Sequence, residues 1–177
     1  MVFTETGLAG AYVVEMEMCV DERGFFARSW CAREFADKGL EAVIAQCNAS
    51  FNRKKGTLRG MHYQHPHAEA KLIRCTQGSL FDAIIDLRPG SATFKRHFAI
   101  ELNARNRKML YAPRGFAHGF LTLEDDTEIS YQMSEFYHPG EAFGVRWNDP
   151  AFSIPWPIAV DVIADKDRDL PDFRAQA

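Results

Sequence analysis

The sequence lacks several features, and each absence argues against a class of protein. None of its 177 residues belongs to an apolar run near the ~18 residues that a membrane-crossing helix needs. The opening stretch, MVFTETGLAGAYVVEMEMCVDERG, carries acids and no basic segment ahead of an apolar one, so it does not read as a secretory leader. Four cysteines, Cys19, Cys31, Cys47 and Cys75, form no C-x-x-C pair and no dense framework, so buried, reduced thiols are expected. Excess positive charge is missing too. Lys and Arg number 21 against 24 Asp and Glu, a net charge of −3, which argues against a nucleic-acid partner. Low-complexity tracts, internal repeats and linkers are absent as well. What remains reads as one soluble, cytoplasmic domain over residues 1–177, with no membrane partner and 46% apolar residues to build a core.

Short alternating apolar runs separated by turn signals fill most of the chain. Strands are expected in GAYVVEMEMCV, EAVIAQCNASFN, AKLIRCTQG, SLFDAIIDLRPGS, FKRHFAIELNARN, RKMLYAPRG, GFLTLEDD and TEISYQMSEFY. Between them lie chemically sensible turns such as Gln77-Gly78 and Arg88-Pro89-Gly90. The fold class this predicts is all-β, a sandwich or barrel with a few short helices. One helix is expected in SWCAREFADKGL, with Ser29 as its N-cap and Gly39 near its stop.

The stretch RGMHYQHPHAEAKL, residues 59–72, concentrates candidate chemistry. His65-Pro66-His67 and the later block PRGFAH, ending at His118, resemble the two histidine motifs of metal-binding cupin barrels. A metal-dependent enzyme using His65, His67, Glu69 and His118 is therefore one reading. Its weakness is the carboxylate position of that motif, which Lys71 occupies. An ammonium repels a divalent ion and cannot ligate it. With Lys71 as an oxyanion partner, the stretch acquires another logic. An imidazole titrates near neutral pH, so His62 suits proton abstraction beside a carbonyl, and Arg59 suits a forked grip on phosphate. Base, oxyanion partner and phosphate grip together describe proton abstraction from a phosphorylated keto compound.

Longer motifs, in order along nearly the whole chain, carry a family resemblance: DERGFF, QCNASFN, KGTLRGMHYQ, KLIRCTQGSLFDAIIDLRPGS, ELNARNRKMLYAPRGFAHGFL, YHPGEAFGVRWNDP, IPWP and DKDRDLP. Together they resemble the dTDP-4-dehydrorhamnose 3,5-epimerases, metal-free members of the cupin superfamily. The resemblance implies a jelly-roll barrel and a homodimer whose N-terminal strands cross to the partner. It further implies cofactor-free inversion of C3 and C5 in a 4-keto-6-deoxy sugar carried on a nucleoside diphosphate. By position, His62 is the implied base, held by Asp167; Tyr131 is the acid on the opposite ring face; Lys71 supports the enolate. Arg59, Gln46, Asn48, His118 and Lys166 are the implied substrate contacts, with Arg23 supplied by the partner subunit. No metal and no cofactor are implied.

Two departures from the family pattern bear on the substrate. Arg28 replaces a glutamate, and Ala142-Phe143 replaces a Glu–Arg pair. An epimerase acting at C3 or C5 alone, or on another nucleotide-linked sugar such as a heptose, is the alternative within the same chemistry. A catalytically silent sugar-nucleotide binder is a third reading. Taken singly, His65, His67, His97 and His138 read as surface or satisfied histidines, and Asp165 or Asp169 could replace Asp167 as a dyad partner. Phe136 and Tyr137 suit either a nucleotide base or the core. Asp82 and Asp86 alternate with Leu80 and Ile84, so both are expected to point into the barrel, with Asp82 orienting Lys71 or another polar group.

Overall fold

The computed structural model describes residues 1–174. Along them run β1 (Val2–Glu5), β2 (Tyr12–Glu15), β3 (Met18–Asp21), β4 (Gly24–Ala27), α1 (Ala32–Asp37), β5 (Gln46–Asn52), β6 (Thr57–Gln64), β7 (Lys71–Gln77), β8 (Ser79–Asp86), β9 (His97–Asn103), β10 (Met109–Ala112), β11 (Phe116–Thr122), β12 (Thr127–Met133), β13 (Ala142–Gly144), β14 (Val162–Ile163) and α2 (Asp165–Arg168). Strands pair into one sheet ordered β1-β2-β10-β7-β12-β5 and a second ordered β13-β6-β11-β8-β9, with β14 alongside β6. The two face each other as a jelly roll of the cupin type. Among the described residues, no helix is long and apolar enough to cross a membrane.

Alternation along each strand sorts side chains between the sheets and their outer faces. Ile73, Leu80, Ile84, Leu110, Phe120 and Ile129 meet between the sheets. Leu72, Met109 and Tyr111, on the opposite face of the first sheet, pack under Phe35 of α1. Met61, Ala83, Ile85 and Ala117 lie behind the second sheet, covered by Val145 and Phe152. Burial on both faces explains why the inner strands read as near-continuous apolar runs.

Several expectations need correction. β6 was absent from the strands read in the sequence, because Gly60 and scattered polar residues break its alternation, yet it pairs with β11. The run 10–20 contains two strands, β2 and β3, rather than one. Helix α1 begins later than expected: Cys31, not Ser29, is the N-cap and makes no side-chain capping bond. Of the four thiols, only Cys75 is buried; Cys19 and Cys47 are exposed, and all are free. Burial raises the Cys75 thiol to about 11, so it stays protonated and inert.

Asp86 is buried as expected, but it serves the fold. Its carboxylate takes bonds from Arg88 (Nη2 at 2.7 Å), Ser91 (2.6 Å) and Thr93 (2.6 Å), closing the β8–β9 loop. Burial alone would raise its pKa, but these donors outweigh burial and hold it at about 2 against an ordinary 3.8. A lowered carboxyl stabilises the fold above its unfolded pKa, and that stability fades as pH falls through the folded one. Urea unfolding should therefore show Asp86→Asn less stable than the parent by about 2 kcal/mol at neutral pH. The gap should narrow between about pH 4 and pH 2; a gap independent of pH would contradict this account.

Candidate active site

A cavity of about 480 Å³ opens at one end of the barrel, within the range of small-ligand sites. The first sheet contributes Asn48 from β5, Lys71 from β7, and Tyr131 and Met133 from β12. Register places Tyr131 beside Asn48 and Ile73, and Met133 beside Lys71, so these side chains share the inner face. The second sheet contributes Arg59 and His62 from β6 and His118 from β11.

Arg59 and His62 lie three residues apart, a spacing that on a regular strand sends side chains to opposite faces. The pairing of β6 with β11 resolves this. His62 sits opposite His118 and Arg59 opposite Phe120, with a register shift between them. Three steps on β6 match two on β11, which is a β-bulge, and both side chains reach the cavity. Gly60 sits in this bulge with φ of 137°, and a Cβ there would lie 2.5 Å from the Cα of Gly119. Only glycine fits this crossing.

β14 runs parallel to β6 and delivers α2 behind His62. Asp167 is buried, and its Oδ1 lies 2.8 Å from His62 Nε2, while its Oδ2 accepts the Gly60 N–H at 3.3 Å. Burial raises the Asp167 carboxyl, but the His62 bond and charge, the Gly60 N–H and the Lys166 charge outweigh it and hold the group below its ordinary value. An anionic Asp167 fixes the proton on Nε2 and leaves the Nδ1 lone pair to accept another. The neighbouring acids do not compete: Asp165 is exposed and pairs with Arg168, and Asp169 is exposed.

Lys71 is buried in an ion pair with Glu69, Nζ to Oε1 at 2.8 Å, and also donates to the His62 carbonyl at 3.3 Å. An ammonium has three hydrogens, so one remains for a ligand. Asp82 orients a different group from Lys71. It is fully buried and meets His118 Nε2 at 2.9 Å, forming a second imidazole–carboxylate pair. Burial pushes the Asp82 carboxyl up, against the pull of His118 and Lys71. The His118 ring stands edge-on to Tyr131 at 5.9 Å between centroids, linking the two walls. Burial, then the Asp82 charge, raises the Tyr131 phenol, with Arg59 and Ser50 opposing; the hydroxyl keeps its proton at neutral pH.

Arg59 donates Nε to Asn52 at 2.8 Å, which aims its fork, and Lys166 lines the cavity beside Asp167. Gln46 does not line it. Instead Gln46 donates to Asn48 at 3.2 Å and accepts the Tyr137 N–H at 2.8 Å, so it acts one step back. Arg23 also lies outside this chain's cavity, on the β3–β4 hairpin, paired with Asp21. Phe136 and Tyr137 are exposed, so the core reading of these rings fails. Arg28 pairs with Glu34 at 2.6 Å, and Phe143 stacks on Tyr63 at 5.9 Å.

The four groups of the metal-enzyme reading do not converge. His65 is exposed, Glu69 is held by Lys71, His118 is held by Asp82, and His67 turns outward to Glu141 at 2.7 Å. Thr57, Leu58, Phe120 and residues 162–164 also line the cavity; their apolar or small side chains carried no chemical signal in the sequence.

A family model described as dTDP-4-dehydrorhamnose 3,5-epimerase matches residues 5–175. A curated protein of that name from Methanothermobacter thermautotrophicus is 39% identical over 175 residues, covering 97% of this chain and 94% of the relative. Among solved structures, the dTDP-4-dehydrorhamnose 3,5-epimerase of Bacillus anthracis with TDP and PPi bound is 39% identical at a TM-score of 0.93, covering 97% of this chain and 99% of that one. A 3'-monoepimerase from Streptomyces bikiniensis in complex with dTDP-quinovose is 30% identical at a TM-score of 0.85, covering 94% and 85%.

Proposed function

Since this chain belongs to the dTDP-4-dehydrorhamnose 3,5-epimerase family, we propose that its cavity epimerises a dTDP-linked 4-keto-6-deoxy sugar, with His62 as base, Tyr131 as acid and Lys71 as partner of the enolate oxygen. One observation carries this reading. An Asp167-held imidazole stands on one sheet and a protonated phenol on the other, with a buried ammonium reaching from the phenol's sheet to the backbone of His62.

The enzyme is an isomerase that inverts C3, C5 or both. The C4 carbonyl acidifies each neighbouring carbon. His62 takes the C–H proton at Nδ1, and the bonding pair moves through the new C=C to place negative charge on O4. Lys71 holds that oxyanion, a contact stronger after the proton leaves than before. Tyr131 then returns a proton to the carbon from the other face, and the carbonyl reforms. Solvent then takes the proton from His62 and returns one to Tyr131, which restores both groups; no electrons change hands, so this route calls for no redox cofactor.

Arg59, Lys166, Asn48 and His118 bind the substrate in this scheme, with Arg59 and Lys166 as the cations for the diphosphate. Gln46 supports Asn48 from behind. Phe136 and Tyr137, exposed next to Gln46, are the aromatic rings that would meet the base in this reading. Surface thiols at Cys19 and Cys47 fit a reducing, cytoplasmic location.

Arg23 acts from a second copy in this reading. Its hairpin joins neither main sheet, and Met18, Val20, Phe25 and Phe26 stand exposed on it, an apolar surface of the kind that dimers cover. Phe26, 79% exposed, is the point to test. Analytical ultracentrifugation should show Phe26→Asp shifted from dimer towards monomer. A parent chain that sediments as a monomer would refute the dimer.

The function is tested in D2O with a panel of nucleotide-linked 4-keto sugars, followed by NMR. Deuterium should enter C3, C5 or both of a dTDP sugar, and the labelled carbon tells a double epimerase from a monoepimerase. No uptake into any member of the panel overturns the proposal.

A further inference from the structure

Outside the cavity, His67, His138 and Glu141 bring three metal-ligand side chains together, with donor atoms all within 4.8 Å of one another. His67 lies in the β6–β7 connection; His138 and Glu141 lie in the β12–β13 loop. Gln64 ties these loops by donating to the carbonyls of His67 (3.2 Å) and Phe136 (3.1 Å) and accepting the His138 N–H (2.9 Å). The His65 N–H bonds the Glu141 carbonyl at 3.1 Å. The backbone beneath the three side chains is thus fixed.

Two features of the cluster remain unexplained by the fold. The imidazoles of His67 and His138 stack at 4.2 Å, and stacked rings cannot both be charged without repulsion. Nε2 of His138 is shut off from solvent and has no hydrogen-bond partner; the Glu135 carboxylate lies 3.6 Å away, beyond hydrogen-bond length. A buried nitrogen held only by so long a contact recovers little of its lost hydration, and a bound cation would give it a closer partner.

We infer that His67, His138 and Glu141 form a surface site for a divalent transition metal of the zinc or nickel class, which clamps the β12–β13 loop to the β6–β7 turn. Two imidazoles and one carboxylate suit such borderline ions, whereas magnesium and calcium favour all-oxygen sites. Ligand bonds of about 2.0–2.2 Å put donors on one tetrahedral ion roughly 3.3 Å apart. Seating an ion therefore opens the 2.7 Å His67–Glu141 pair and draws the wider separations in, by side-chain movements of about an ångström, and the His67 side chain, 52% exposed, is free to make them. Neither His62 nor Lys71 belongs to this cluster, so the ion takes no part in proton transfer.

The test uses the whole chain, stripped with chelator and dialysed, then titrated with Zn²⁺ by calorimetry and with Co²⁺ by visible absorption. One equivalent should bind. His67→Ala and Glu141→Gln, both at the surface, should each weaken binding by about 10–100-fold, the range seen when even outer-sphere partners are lost. Metal-free melting curves of these variants should match the parent. Absence of stoichiometric binding, or binding unaltered in the double variant, overturns the site. The stripped protein should still exchange deuterium into substrate; loss of exchange on stripping would show an ion in the chemistry and refute this peripheral assignment. Epimerase activity is read separately, so either proposal can fail alone.

Discussion

Replacing His62 by glutamine should lower epimerisation by about 10²–10⁴-fold, the usual worth of a positioned general base. The amide keeps a polar side chain of similar reach against Asp167 but has no lone pair basic enough to take a carbon-bound proton. Asp167 would then face a donor it can still accept from, so the buried carboxylate stays partnered and the fold should survive. Solvent deuterium uptake should fall in step with turnover, because the base acts before the enolate exists. Retention of more than a tenth of parental exchange in a folded variant would remove His62 from its role.

Tyr131→Phe should separate two events that move together in the parent. His62 remains able to remove a proton and return deuterium on its own face. Exchange into substrate should therefore persist, while inverted product falls by about 10²–10⁴-fold. The ring is kept, so its edge-on contact with His118 survives. The raised phenol also fixes a pH expectation: its acid form is present well above neutral pH, so titration of Tyr131 should not limit the rate across the neutral range. NMR of recovered substrate and product decides the matter. Equal loss of exchange and inversion would mean that Tyr131 shapes the cavity rather than delivering the proton.

Much of this site was legible because its residues fall within long motifs on strands of regular alternation. Tyr131 and Asp82 could be assigned inward from period two, and Lys71 from its place in the histidine motif; the structure turns all three inward. Partnerships across strands were harder. Nothing in the order of residues says that Asp82 meets His118 rather than Lys71, since that depends on the register of β8 with β11. Glu69, read as a possible ligand, turned out to be the counter-charge that lets an ammonium stay buried. Among three acids in DKDRD, only the delivery of α2 by β14 singles out Asp167. Gln46 and Arg23 mark the other limit. One supports a neighbour from behind, and the other stands on a hairpin detached from both sheets, positions that sequence spacing does not encode.

The bulge in β6 has a bearing on how this stretch can vary among descendants of the gene. Substitution within residues 59–62 alters one side chain at a time, but loss of a single codon there would restore an unbroken ladder with β11. Two steps on β6 would then match two on β11, so Arg59 and His62 would keep their shared face. What would be lost is the bulge itself, and with it the Gly60 N–H that Asp167 Oδ2 accepts at 3.3 Å behind His62. Insertions and deletions should therefore gather in surface connections such as 53–56, while the spacing between Arg59 and His62 stays fixed even where the residues between them drift.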